Sequence, residues 1–295
     1  MEREPLTAAR DPRAEAFDRL GGRYETRVLE PSPPAVTEPP WFADDPVARG
    51  DVPAGRLVVS PVTTGDLTWD ELARQDESLA PWCSERWLGA WRRLEPVPAG
   101  FPATREALHR VAEQVMKPAR ERANGKFGLR YTRGGFGTPF FGADEQVRVE
   151  GVELVVDSPA GERRQPLDVD PGAARALADW YGFAASVLEQ LRAEAGPQLE
   201  PSRVQLWPEH FDMAVELGPE AGGRRAGYGC SPGDQDHPEP YVYVVPWEAA
   251  AAAGEGWNAG AFTGAELSYA ELRTAADQRA AALDFFRDRL DTLIG

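Results

Sequence analysis

Apolar residues recur at two different spacings along the chain, and the change of spacing separates predicted helices from predicted strands. Leu177, Tyr181 and Leu188 follow the spacing of one helical face. The pair Asp170–Pro171 before them is typical of the N-cap and first position of a helix, and Gly196–Pro197 ends the pattern. The sequence therefore predicts a long helix between these two signals.

Two further helices are predicted on either side of this one. The first begins after Thr104, places Leu108 and Val111 on one face, and is kinked or ended by Pro118. The last opens at the capping box Ser268–Glu271 and runs toward the C-terminus as one helix. Its apolar stripe comprises Leu272, Ala276, Leu283, Phe286 and Leu290.

Residues 126–167 change to the period of strands. The segments 147–149 and 152–154 flank Gly151 as the arms of a hairpin, and residues 158–161 form the next predicted turn. Strands that are grouped between helices, without regular β-α-β alternation, favour an α+β fold. We therefore expect a mainly antiparallel sheet packed by long helices.

The N-terminal region has a different composition. Six prolines stand between positions 31 and 46, and proline removes backbone donors and biases its neighbours toward extended conformations. We predict a proline-rich arm over residues 1–60 and a single α+β domain over 61–295. A capping box at Thr68–Glu71 predicts a short helix at the start of that domain.

Charge and composition exclude several classes of partner. With 48 acidic and 32 basic residues the net charge is −16, and such a field repels the phosphate backbone of nucleic acids and anionic lipid. Residues 1–20 lack the apolar run of a signal peptide, and no stretch approaches the 18 or so apolar residues of a membrane span. The cysteines, Cys83 and Cys230, are too few for a disulfide framework. We expect a cytoplasmic protein with reduced thiols and no nucleic-acid or membrane partner; its oligomeric state is left open.

The densest group of chemically active side chains lies in an alternating segment near position 210. Alternation with period two predicts a half-buried strand, on which His210 and Asp212 share the polar face about 6 to 7 Å apart. The apolar positions are Phe211, Met213, Val215 and Leu217, and the intervening positions are His210, Asp212, Ala214 and Glu216.

The loop and strand that follow bring carboxylates and tyrosines of their own. If consecutive strands pair, as they usually do, Tyr241 and Tyr243 come near His210 and Asp212. We therefore predict acid–base or catalytic roles for His210, Asp212 and Glu239. The predicted ligand contacts are Trp207, Arg133, Tyr241, Tyr243 and Asp234.

Three functions are compatible with this group. The first is binding of a small molecule in a polar pocket with aromatic walls. The second is an enzyme that uses the His210/Asp212 cluster, either with a divalent metal held by imidazole and carboxylate or by general acid–base chemistry. The third is an interaction or structural role without a ligand, in which the arm docks a partner. The residues indicate no particular cofactor. A serine hydrolase is excluded, because Pro232 after Ser231 has no N–H for an oxyanion hole.

The same segments resemble a bacterial domain family, frequent in actinobacteria, that has no established activity. The resemblance covers roughly residues 104–293 and implies the extent of the domain. In that family the histidine position varies, so the resemblance favours Asp212 over His210 as a functional residue. The resembling segments are Thr132–Gly134, Pro139–Gly142, His210–Ala214, Ser231–Asp234 and Glu239–Tyr241.

Overall fold

A computed structural model describes the protein from residue 92 onward, with short gaps. The described ranges are 92–132, 134–138, 145–158, 160–195, 197–220, 222–254 and 256–295. The predicted N-terminal arm, the capping box at 68–71 and Arg133 lie outside these residues.

The described residues contain five α-helices, one of which continues from another through a π-helical turn. Pro118 lies in the first turn of α2, and the π-helical turn directly precedes it. Because proline donates no backbone hydrogen bond to the preceding turn, the regular ladder is interrupted there. The helix continues beyond Pro118 to Asn124, so the proline does not end it, and the regular hydrogen bonding changes just before the proline. The segments are α1 (Phe101–Val111), the π-helical turn (Ala112–Met116), α2 (Lys117–Asn124), α3 (Pro171–Ala195), α4 (Tyr269–Thr274) and α5 (Gln278–Ile294).

The strands of the described part form two five-stranded antiparallel sheets, so the predicted α+β class is confirmed. Each sheet has its strands in sequential order, and the hairpins predicted around Gly151 and residues 158–161 are present. The first sheet contains β1 (Arg130–Thr132), β2 (Gly135–Gly137), β3 (Gln146–Glu150), β4 (Glu153–Ser158) and β5 (Gly161–Pro166). The second contains β6 (Gln205–Trp207), β7 (Asp212–Leu217), β8 (Ala226–Ser231), β9 (Tyr241–Pro246) and β10 (Ala265–Ser268).

Helix α3 packs against both sheets and carries much of the core. It contacts β1 and β2 of the first sheet and β7 and β8 of the second. As predicted, Asp170 caps its N-terminus: the Ala173 amide donates to Asp170 Oδ1 at 2.7 Å. Trp180 and Phe183 of this helix are fully buried, and a bridge between Leu129 and Leu206 joins the sheet edges. The core thus lies between α3 and the inner faces of the two sheets.

The C-terminal region is two helices, which corrects the expectation of a single one. The capping box at Ser268 is confirmed, but Ala275 is extended and Asp277 caps a new helix by accepting from the Ala280 amide at 2.9 Å. The break lets Gln278 hydrogen-bond the backbone N–H and carbonyl of Leu94, at 2.6 and 3.2 Å. A long-range contact thereby competes with helical continuity. In the described part of the chain no helix is both long and apolar enough to cross a bilayer.

Candidate functional site

The candidate site lies on the face of the second sheet that is opposite the core. Val215 and Tyr228, which are fully buried, point to the core face. Their sequence neighbours Ala214 and Gly229 form one register row with Tyr243 across β7, β8 and β9. Since side chains alternate along strands, this row lies on the other face. Tyr241 and Tyr243 share that face with Asp212.

Asp212 and Tyr243 are joined across an intervening strand. β7 pairs with β8 rather than with β9, so the tyrosine is two strands away from the aspartate. Gly229 of β8 lies between them, and a Cβ at that position would overlap the tyrosine ring. The absence of a side chain lets Tyr243 lie across β8 and donate its hydroxyl hydrogen bond to Asp212 Oδ2.

Among the described residues, one half of the Asp212 carboxylate has no hydrogen-bond donor. Asp212 is 7% exposed, and its Oδ1 atom is buried with no hydrogen-bond partner in that part of the chain. Burial raises the pKa of Asp212, while the Tyr243 hydrogen bond and the charge of His210 oppose the rise. Burial, followed by the nearby Asp212 charge, likewise raises the pKa of Tyr243.

Tyr241, Asp234, His237 and Glu266 form a second polar group on the same face. The Tyr241 hydroxyl donates to Asp234 Oδ2 at 3.0 Å. His237 places Nδ1 at 3.1 Å from Asp234 Oδ1 and Nε2 at 3.2 Å from Glu266 Oε2. Its ring also lies 4.3 Å from that of Tyr241. One imidazole therefore connects the loop after β8 to strand β10.

The loop after β8 is held by its own side chain and by helix α1. Asp234 Oδ1 accepts the amides of Asp236 and His237, each at 2.8 Å. Burial opposes ionisation, but hydrogen bonds from the His237 amide and Tyr241 prevail and lower the pKa of Asp234. Arg105 of α1 donates to the carbonyls of Asp234 and His237 at 3.0 and 3.4 Å. The loop geometry thus depends on a contact with a distant helix.

Three aromatic rings form a wall on this face. The rings of Tyr241 and Tyr243 are 6.1 Å apart, and Phe262 lies 6.4 and 6.2 Å from them. Phe262 comes from the segment before β10, which brings it over the two tyrosines. Tyr241 and Tyr243 were predicted as ligand contacts, whereas Phe262, His237 and Glu266 were not. The pairing of β10 with β9 positions Phe262 and Glu266 and so brings Glu266 to His237, and the sequence before β10 has no period-two pattern that predicts this pairing.

His210 occupies a different place from the one its alternating pattern indicates. Strand β7 begins at Asp212, and His210 is exposed in the preceding turn. Phe211 adopts a left-handed conformation with φ 57°, which breaks the alternation between these two residues. The reason is the packing of the Phe211 ring, which is buried against Tyr181 and stacked on His109 at 5.0 Å. The expectation that His210 shares a strand face with Asp212 is therefore wrong, although its charge still acts on that carboxyl.

Of the remaining predicted residues, Trp207 lies on this face and Glu239 does not. Glu239 is exposed in the loop before β9 and acts electrostatically on Tyr269. Trp207 lies on β6 directly opposite Asp212 in register, and its ring is 5.8 Å from Phe127. Because residues paired across antiparallel strands share a face, the structure brings Trp207 to the same face as Asp212, Asp234, Tyr241 and Tyr243. It leaves Glu239 exposed away from the network.

Metal chemistry gains no geometric support in the described residues. No three His, Cys, Asp or Glu side chains there converge as a set of metal ligands. Cys230 is a free, buried thiol on β8, and burial, with the Asp212 charge, raises its pKa well above the usual value. This thiol is therefore not an activated nucleophile.

Comparison with known proteins assigns no relationship. No protein-family model matches the chain, and no match was found among curated proteins or among solved structures. The resemblance to a bacterial domain family stays a prediction.

Proposed function

We propose that the protein binds a small molecule on the outer face of the second sheet, at Asp212 and Tyr243. The observation that carries this proposal is the buried Asp212 Oδ1 atom, for which residues 92–295, as far as the structure describes them, supply no donor. Leaving a buried polar group unsatisfied costs about 1–3 kcal/mol, and more for a charged one. A ligand that supplies the missing donor would recover this free energy.

Backbone strain next to the carboxylate supports the same location. A left-handed conformation is uncommon for a bulky residue such as Phe211 and costs of order 1–3 kcal/mol. The Tyr181 hydroxyl donates to the Phe211 carbonyl at 2.7 Å and helps to hold this conformation. The strained residue directly precedes Asp212. Its conformation therefore fixes where β7 begins and where the Asp212 carboxylate lies.

The surroundings are of the kind that small-molecule sites use. Such sites combine apolar and aromatic walls with a few oriented polar groups. Here Tyr241, Tyr243 and Phe262 supply the wall, and Asp212 with the His237 network supplies the polar groups.

The second candidate is an enzyme in which Asp212 transfers a proton. It is favoured by the raised pKa of the buried carboxyl and by its hydrogen bond to Tyr243. Carboxyls whose pKa is raised by burial serve as general acids or bases near neutral pH. This candidate uses the same residues and differs in requiring turnover of the bound molecule.

A library screen with a matched pair of variants tests the proposal. We expect some members of a metabolite library to raise the melting temperature of the full chain by several degrees, and Asp212→Asn to abolish these shifts while keeping the fold. The control is Asp236→Asn, an exposed aspartate of the neighbouring loop. Shifts of equal size in the wild type and in Asp212→Asn would contradict the proposal. Conversion of a bound compound, followed by NMR and lost in Asp212→Asn, would identify the enzyme.

A further inference from the structure

We infer that the ligand is an organic cation with N–H donors, a primary or secondary ammonium group attached to an apolar body. This inference rests on the proposed function and specifies its ligand. It follows from the carboxylate, the surrounding charge and the aromatic wall, each of which selects for the same chemistry.

The Asp212 carboxylate has room for one more hydrogen-bond donor than the described residues supply. Its Oδ2 atom already accepts a hydrogen bond from the Tyr243 hydroxyl, so Oδ1 is the atom that can accept one from a ligand. A cationic N–H makes a charge-assisted hydrogen bond to a carboxylate, roughly twice as strong as a neutral one. An ammonium group would supply both the donor and the counter-charge of a buried anion.

The balance of charge on this face also favours a cation. Asp212, Asp234 and Glu266 contribute three carboxylates. The nearby guanidinium of Arg105 donates to backbone carbonyls of the loop after β8, and the imidazole of His237 lies between two of the carboxylates. The excess negative charge attracts a cation and repels an anionic ligand.

The aromatic wall favours a cation as well. The faces of tyrosine and phenylalanine rings attract a cation placed within about 6 Å of the ring centroid. Tyr241, Tyr243 and Phe262 present three such rings within one cluster. The rings also offer apolar surface to the body of the ligand, which neither carboxylate nor water would do.

The ionisation of Asp212 predicts a pH dependence for this binding. Burial raises its pKa, and a protonated carboxyl loses its attraction for a cation. Affinity should therefore fall as the pH is lowered through the pKa of this carboxyl. The titratable groups that act on Asp212 or feel its charge are Tyr243, His210, Glu209, Tyr181, Cys230 and Tyr241.

Four compounds of one shape separate charge from hydrogen bonding. We would titrate the full-length chain at pH 7.5 with benzylamine, benzyl alcohol, benzyltrimethylammonium and benzoate, and follow binding by calorimetry and by the tyrosine signals in NMR. Benzylamine alone combines a positive charge with N–H donors. We expect it to bind at least about tenfold more tightly than each of the others, as the added strength of a charge-assisted hydrogen bond implies.

Variants locate the binding. Asp212→Asn and Phe262→Leu should each weaken benzylamine at least about fivefold, whereas Asp236→Asn should not change it. Lowering the pH to 4 should weaken benzylamine binding more in the wild type than in Asp212→Asn, because only the wild type loses the charge of this carboxylate.

The outcomes distinguish this inference from the proposed function. If benzyl alcohol or benzoate bound as tightly as benzylamine or more tightly, and Asp212→Asn abolished that binding, the inference of a cationic ligand would be wrong but the proposed site would stand. The inference of a cationic ligand would also be wrong if benzylamine did not bind, or if its affinity were unchanged in both Asp212→Asn and Phe262→Leu. If the metabolite library, too, gave no effect that depends on Asp212, the proposed site itself would fall.

Discussion

At the scale of single residues, Gly229 determines whether the Asp212–Tyr243 contact can form. A Cβ at position 229 would overlap the Cζ and hydroxyl atoms of Tyr243, which lie directly over the strand. At Gly227, two residues earlier on the same face, the atom nearest to such a Cβ would be the Val245 carbonyl oxygen, 4.0 Å away. The two glycines lie on the same strand and the same face. A methyl group would overlap the Tyr243 side chain at position 229 but would have room at position 227.

Gly229→Ala should displace the Tyr243 ring and break its bond to Asp212, lowering the free energy of unfolding by about 1–3 kcal/mol. Gly227→Ala should be neutral or slightly stabilising, because alanine reduces the conformational entropy of the unfolded chain. Urea denaturation of both variants measures the difference. Equal stability of the two variants would show that Tyr243 does not depend on the gap at Gly229.

Sequence reasoning located several residues of this face without locating their contacts. Asp212, Tyr241 and Tyr243 were identified because polar residues alternate with apolar ones, which is a local pattern. The bond from Tyr243 to Asp212 crosses a strand, and a periodicity argument contains no information on side chains two strands apart. His210 was misplaced for the opposite reason: the alternation was unbroken in sequence, and the left-handed Phe211 that interrupts it is imposed by tertiary packing.

At the scale of elements, helix α1 holds the loop that carries Asp234 and His237. The Arg105 guanidinium donates to four carbonyl oxygens of this loop, at 3.0 to 3.5 Å. Arg110 lies on the same helix but is exposed to solvent. The two arginines allow the contribution of this contact to be separated from that of charge on α1.

Arg105→Gln should loosen the loop without unfolding the protein. Loss of hydrogen bonds from a charged group, worth about 1.5 kcal/mol or more, should speed amide exchange of Asp236 and His237 at least about tenfold. Hydrogen–deuterium exchange measures this effect, and Arg110→Gln should leave the same amides unchanged. Equal protection in both variants would mean that the loop is held by Asp234 alone.

The sequence predicts the start of a helix correctly where the signal is a capping residue close to that start. Asp170 and Ser268 were identified as N-caps because a side-chain oxygen satisfies an amide a few residues away, and both caps are present. The break between α4 and α5 was missed because its partner, the Leu94 backbone, is 184 residues from Gln278. Local patterns fix where helices begin, whereas such distant contacts decide whether they continue.

At the scale of the whole molecule, a carboxyl whose side chain is only 15% exposed lies where the long helix meets the junction of the two sheets. Glu189 of α3 is influenced by Arg192 of the same helix, by Arg203 before β6 and by Arg130 of β1. Burial nevertheless raises its pKa to about 7, against the attraction of these arginines. Since the groups come from the helix and from both sheets, the proton affinity of Glu189 depends on the assembled fold.

This raised pKa makes the stability of the whole fold depend on pH. The folded protein binds the Glu189 proton more tightly than the unfolded chain, whose glutamates have their ordinary pKa near 4.5. The contribution to the free energy of unfolding is fully present below about pH 4.5 and is lost as the pH rises to about 7. The slope between these limits is at most about 1.4 kcal/mol per pH unit.

Glu189→Gln should remove this dependence, because glutamine resembles the protonated carboxyl at every pH. The variant should therefore gain stability relative to the wild type as the pH rises from 5 to 7, measured by urea denaturation at half-unit steps. Glu194→Gln, on the same helix, is the control. Hydrogen bonds from Arg287 and Gln190 outweigh burial and lower the pKa of Glu194, so its contribution is already complete at pH 5 and its difference from wild type should stay constant. A constant difference for Glu189→Gln as well would show that this carboxyl ionises as freely in the folded protein as in the unfolded chain.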